Sequence, residues 1–187
     1  VMKKLLSILI LLAAGALLNA QAATYEGVTL PDSAIVGGKT LVLNGMGLRE
    51  KFFFHIYVGG LYLPEKTTTP DAVLAEQGPY RVVMHMLYDV SHSQFTDAWL
   101  DDIKANNKSD YASLENDAKA FAALFSDSKK GDEIFMDYVP GTGVSVSYDG
   151  TLKGTIKGDT FAKALLRVYM GPHPPTKSLQ RGMLGKS

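Results

Sequence analysis

NGMGLREKFFFHIYVGGLYL, residues Asn44–Leu63, carries three phenylalanines, two tyrosines, an isoleucine and a valine within 20 positions. Residues of this kind suit a pleated, half-buried surface. Lys51–Leu63 therefore reads as a strand stopped by Pro64, and Gly45-Met46-Gly47 reads as a tight turn ahead of it. Upstream, Thr40–Asn44 (TLVLN) alternates apolar and polar residues, the period of a strand with one buried face. Downstream, Tyr80–Tyr88 (YRVVMHMLY) is a third strand, after which the period changes. Ser91 and Gln94 stand at capping-box spacing. Phe95, Ala98, Trp99, Asp102 and Ile103 follow at helical intervals, predicting a helix from about Ser93 to Asn106.

Ser109 or Asp110 can cap a second helix, whose apolar stripe is Tyr111, Leu114, Ala118, Phe121, Ala122 and Phe125. From Glu133 the pattern returns to strands. EIFMDYV, a turn at Pro140–Gly143, VSVSY, a turn at Asp149-Gly150 and LKGTI read as a three-stranded meander. Asp159 is the expected cap of a closing helix, Thr160–Met170, ended by Gly171-Pro172, and a last helical piece spans Pro175–Leu184. Strands, a helical pair, strands and helices in that order predict an α+β domain, with an antiparallel sheet covered by helices on one side.

The first residues belong to another logic. Lys3 and Lys4, the apolar run Leu5–Leu18 and the small-residue site Ala20-Gln21-Ala22 have the layout of a cleavable signal peptide of bacterial type. The run is about 14 residues, against roughly 20 for a spanning helix. The expectation is a signal peptide over residues 1–22, one domain over 23–187, and export to the periplasm.

Composition excludes several functions. The chain has no cysteine, so thiol catalysis, iron–sulfur clusters and thiolate zinc sites are ruled out, and packing alone must hold the exported fold. Setting Lys3 and Lys4 aside leaves 17 basic and 19 acidic residues with no basic tract, which argues against a nucleic-acid partner. His55, His85, His92 and His173 lack the spacing of a metal site, so neither metal nor cofactor is expected. Gly45-x-Gly47 lacks the third glycine and following helix of a phosphate cradle, and no Gly-x-Ser-x-Gly elbow is present. Asp101 and Asp102 are helix neighbours whose side chains diverge, so they form no dyad.

Two motifs in the opening stretch carry a resemblance. Gly45-Met46-Gly47-Leu48-Arg49 followed by Tyr57-Val58-Gly59-Gly60-Leu61-Tyr62 resembles the chalcone isomerase-like family, whose signature is G-x-G-[LV]-R and then a strand ending in [TY]-x-x-G-[LV]-Y. The likeness runs on through the helix near Ser91 to Met170–Thr176. It implies an open-faced β-sandwich, a large antiparallel sheet against a helical layer with a ligand cleft between them. The family holds true isomerases, fatty-acid-binding members and members without a known reaction.

In the isomerases, the resemblance implies, an arginine steadies a phenolate while a threonine, a tyrosine, an asparagine and a late threonine or serine line the site. Arg49 matches the arginine. Tyr57 stands where the isomerases have threonine, as in the fatty-acid-binding members. Phe95 falls on the catalytic tyrosine without its hydroxyl, Asp102 on the asparagine, and Thr176 on the late threonine. Replacing one donor by an apolar ring and another by an anion argues against oxyanion catalysis, where each donor contributes roughly 3 kcal/mol.

The candidate ligand-binding residues are thus Arg49, Tyr57, Phe95, Asp102 and Thr176, and an isomerase would use Arg49, Tyr57 and Thr176. The same residues have plainer readings: Arg49 as a surface arginine ending a strand, Tyr57 as a half-buried sheet tyrosine, Phe95 as core, Asp102 as a cation's partner or a solvated helix flank. A straight strand would hold Arg49 and Tyr57 about 26 Å apart, so they share a site only if the chain bends back between them. Three functions follow. The first is a periplasmic binder of a fatty acid or similar small amphipathic acid, in which some twelve methylenes at about 0.8 kcal/mol each would dominate affinity. The second is an intramolecular lyase of the chalcone isomerase type. The third is a protein-interaction module whose cleft is filled.

Overall fold

The computed structural model describes residues 22–186; the expected signal peptide lies outside them but for Ala22. Seven strands, β3 to β9, form one antiparallel sheet in sequential order, and a two-stranded hairpin, β1 (Ala22–Tyr25) with β2 (Val28–Pro31), lies apart from it. In the sheet β3 is Ser33–Val36, β4 Lys39–Lys51, β5 Phe54–Leu63, β6 Tyr80–Met86, β7 Glu133–Val139, β8 Gly143–Tyr148 and β9 Thr151–Lys157. Helix α1 (Pro70–Ala75) joins β5 to β6, and α2 (His92–Asn106) and α3 (Tyr111–Ala122) join β6 to β7. Helices α4 (Asp159–Met170) and α5 (Lys177–Met183) follow β9. No helix among the described residues is long and apolar enough to cross a membrane.

The period-2 pattern sorts the sheet into faces. Tyr80, Val82, Met84 and Met86 of β6, with Ile134, Met136 and Tyr138 of β7, point into the main core beneath the helices. Val58, Tyr62 and Val83 face the other way and meet Val28 and Leu30 of the β1–β2 hairpin. There the Tyr62 hydroxyl donates to the Pro31 carbonyl at 2.7 Å. The capping box of α2 is as read, with Ser91 accepting from the Gln94 amide and Gln94 accepting from the Ser91 amide. The Asp149-Gly150 turn has φ of +47° and +81°, the left-handed pair that a tight hairpin needs.

Three local expectations are corrected. Gly45-Met46-Gly47 is no turn; it lies inside β4, paired with Leu61, Gly60 and Gly59 of β5. The chain turns at Phe52-Phe53 instead, which divides the expected strand Lys51–Leu63. Asp159 does not cap α4, because Gly158 at φ +88° holds that place. Asp159 is the first helical residue and accepts the Gly141 amide of the preceding turn at 2.8 Å. Strands β1 to β3 and helix α1 have too short a pattern to be read in advance.

The glycines of β4 have a packing purpose. A Cβ at Gly45 would meet the Gly182 carbonyl, and one at Gly47 the Leu179 carbonyl, so the backbone of α5 rests directly on that of β4. Between them, Asn44 occupies a bulge in β4, the extra residue between the Leu43–Tyr62 and Gly45–Leu61 pairs. Its buried amide donates to Met183 O at 2.7 Å and its side-chain oxygen accepts the Thr67 amide at 2.7 Å. Leu48 O receives the hydroxyls of Thr176 at 3.0 Å and Ser178 at 3.1 Å.

Gly47→Ala is expected to destabilise the domain by about 1–3 kcal/mol or more, the scale of overpacking against atoms that cannot rotate away. Urea unfolding of the two proteins measures this directly, and an unchanged midpoint would show that α5 can lift from β4 without loss.

Candidate functional site

The reversal at Phe52-Phe53 brings Arg49 and Tyr57 into direct register as partners on β4 and β5. A second bulge follows the pair, since Glu50 pairs with His55 and leaves Ile56 as the extra residue. Both side chains lie on the helical face, with the Arg49 guanidinium carbon 5.9 Å from the centre of the Tyr57 ring. The bend that the sequence left open is therefore made.

Helix α2 supplies the opposite wall. Phe95, Ala98, Trp99 and Asp102 project from one face of it, and the small space they enclose with Arg49, Tyr57, Met84 and Pro175 measures only about 20 Å³. That holds about one water molecule. The inner space is small because Phe95, Trp99, Phe121 and Phe125 interlock, with ring centres 5.0–5.3 Å apart in the Trp99–Phe121, Trp99–Phe125, Phe95–Phe125 and Phe121–Phe125 pairs. Outward of Arg49 the cleft opens to about 340 Å³ between Ile56, Phe52, Phe54, Tyr88, Val90, Gln94 and Phe95. This lies at the low end of the roughly 300–1,000 Å³ usual for small-molecule sites. A larger groove of about 400 Å³ between the β1–β2 hairpin and α5 contains neither Arg49 nor Tyr57.

Burial shifts the titration of two of these residues, as it does for buried tyrosines elsewhere in the fold such as Tyr62 and Tyr80. Burial pushes the Tyr57 hydroxyl up to about 12, with Arg49 pulling the other way, so it stays a neutral hydrogen-bond donor. Burial also raises the Asp102 carboxyl above its ordinary range; Arg49 opposes this, while neighbouring Asp101 adds to it. Yet no carboxylate stands within ion-pair distance of Arg49 among the described residues. Three buried side-chain donors lack partners among the described residues: Trp99 Nε1, the Tyr169 hydroxyl and, outside the cleft lining, the Thr96 hydroxyl. The Tyr169 hydroxyl acts electrostatically on that of Tyr57, but the pair falls short of hydrogen-bond geometry.

Four of the five residues read from the sequence thus meet: Arg49, Tyr57, Phe95 and Asp102. Thr176 stands apart, outside the cleft lining, and its hydroxyl is committed to Leu48 O and to the Leu179 amide at 3.2 Å, where it caps α5. Tyr169 and the outer aromatics Phe52, Phe54 and Tyr88 were not read as site residues. A lone hydroxyl at the end of the apolar helix Thr160–Met170 was the available signal for Tyr169. No group of three or more metal-ligating side chains is assembled among the described residues.

An antiparallel sheet, a helical layer on one face and a polar pair at the base of the cleft between them define an open-faced α+β sandwich. The chain belongs to the chalcone isomerase-like family, which it matches over residues 22–185. It is also similar to the crystal structure of a fatty-acid binding protein from Arabidopsis thaliana, at 17% identity and a TM-score of 0.70, over 88% of this chain and 96% of that one. At such identity the likeness shows the fold alone. No curated protein sequence matches the chain.

Asp102 gives this site a pH signature. Its carboxyl holds a proton more tightly when folded than when unfolded, so the folded state loses stability as pH rises through the interval between the two values. Asp102→Asn removes the buried charge and is expected to melt above the wild type at neutral pH, with the gap closing as the medium is acidified. Thermal melts across that range test it; a variant that melts lower at neutral pH would mean that attraction to Arg49 outweighs desolvation.

Proposed function

We propose that the protein binds a small amphipathic acid of the fatty-acid kind without transforming it, and does so as an exported, periplasmic protein. The observation that carries the reading is Arg49. The residue is half-buried beside Tyr57 at the base of a largely aromatic cleft, which Lys51 and Asp89 also line, and it lacks a carboxylate partner among the described residues. A ligand carboxylate completes that arrangement, accepting from Arg49 and from the neutral Tyr57 hydroxyl. The tail lies along Ile56, Phe54, Tyr88 and Phe95 in the outer cleft, because the inner space is closed by the aromatic cluster. Affinity then grows with chain length only until about 340 Å³ is filled. The fatty-acid binding protein of the same fold supports the ligand class, and the layout of residues 1–22 supports export.

Native mass spectrometry of protein recovered from its own periplasm, followed by organic extraction, tests the reading. An organic acid that co-purifies with wild type and is lost from Arg49→Ala supports it. Empty protein that also ignores a panel of fatty acids in thermal-shift assays sinks it. For a bound acid, Arg49→Ala is expected to weaken binding about 10- to 100-fold, the scale of one charge-assisted hydrogen bond, and Tyr57→Phe by only a few-fold.

Binding should also strengthen on acidification for as long as the ligand itself stays ionised, because protonating Asp102 removes a negative charge near the incoming carboxylate. Titrations at several pH values should show this trend in wild type and its loss in Asp102→Asn.

A second reading, an isomerase-type lyase, is favoured by one observation. The Tyr169 hydroxyl reaches the neighbourhood of Tyr57 from α4, so a second phenol is present although Phe95 lacks one. Loss of the enone absorbance of a chalcone, faster than in buffer and dependent on Arg49, would establish it in place of simple binding.

A further inference from the structure

The tip of the β4–β5 hairpin combines two unfavourable features. Phe52, Phe53 and Phe54 are consecutive and exposed by 86%, 97% and 50%. Phe52 also sits at φ +58°, a left-handed position where a bulky residue is an outlier. Glycine, asparagine or aspartate would make this two-residue turn more easily. Water is a poor solvent for all three rings, and grouped exposed apolar residues mark interaction sites.

The shape of the patch limits what it can meet. Three rings at these exposures present about 450 Å². A stable protein interface takes about 800 Å² from each partner, so a convex tip of this size falls short of one. A fluid apolar phase requires no matching surface. Tyr88, half-exposed and packed against Phe54 with ring centres 5.1 Å apart, adds a ring with an apolar body and a polar end, the type that settles at a lipid–water boundary.

The charges around the tip are of both signs. Glu50 and Glu26 both lie close to His55, and Asp89 is held by the Lys129 ammonium at 3.0 Å and the Lys130 amide at 2.9 Å. Lys51, directly before the phenylalanines, has no ion-pair partner among the described residues and is free to meet a phosphate. Finally, Phe52 and Phe54 line the mouth of the cleft that ends at Arg49.

We propose that the Phe52–Phe54 tip docks on the surface of a phospholipid bilayer, seating the mouth of the cleft against the membrane so that an acyl chain passes between bilayer and cleft without crossing water. The passage rests on the acid-binding reading; the docking does not. Phe53 separates the two, since it is the most exposed ring and does not line the cleft.

The test is flotation of the protein with phosphatidylcholine vesicles, with and without phosphatidylglycerol, alongside fatty-acid binding measured in solution. Wild type is expected to float with vesicles. Phe53→Ser should partition at least tenfold less while keeping wild-type affinity for the acid. Arg49→Ala should lose the acid and still float. Wild type that stays off both kinds of vesicle overturns the proposal. So does sedimentation showing a dimer that Phe53→Ser dissolves, because the tip would then serve a second copy of the chain. Vesicle binding without acid binding upholds docking and overturns only the acid-binding reading.

Discussion

The contact on which the rest depends is backbone against backbone, α5 lying on the glycines of β4. Side chains at Gly45 or Gly47 would hold the helix off the sheet, because the atoms they would meet are main-chain atoms of residues 179–185. With α5 seated, Asn44 bonds to Met183, and Thr176 and Ser178 bond to Leu48. These bonds carry the chain from Pro172 to Pro175 past Arg49, and Pro175 closes one side of the inner cavity. A family motif that reads as a turn thus works as a flat seat for a helix, and the arginine at its end is positioned by that seat.

The cleft is divided by its own core. Trp99, Phe121 and Phe125 pack edge to face or tilted, geometries that add attraction beyond simple burial. This leaves space for about one water beyond Arg49. The same packing strands Trp99 Nε1 and the Tyr169 hydroxyl without partners, an arrangement rare in folded proteins because an unmet buried donor costs about 1–3 kcal/mol. Orphaned donors beside a half-buried arginine mark the place where the fold gives up stability.

At the other end of the cleft the sacrifice is exposure. The hairpin that pairs Arg49 with Tyr57 must reverse within two residues, and both are phenylalanine. The reversal and the exposed rings are one feature of the sequence with two consequences: it assembles the polar pair and it leaves an apolar tip at the mouth.

What the sequence determined by itself is what local periodicity and caps encode. The capping box at Ser91, the stripe from Phe95 to Ile103, the β7–β9 meander and the Asp149-Gly150 turn are all present as read, since each depends on neighbours a few residues apart. The motif also singled out Arg49 and Tyr57. Their meeting was decided by tertiary structure alone, because the turn at Phe52-Phe53 lacks the glycine or asparagine that announces a tight reversal. Thr176 looked like a site residue by its place in the motif, yet its hydroxyl is engaged by the carbonyl of Leu48, 128 positions earlier. Whether the cleft is open or filled was likewise beyond a one-dimensional pattern: helices α2 and α3 have core stripes either way, and only the interlocking of their rings closes the inner half and leaves the outer half empty.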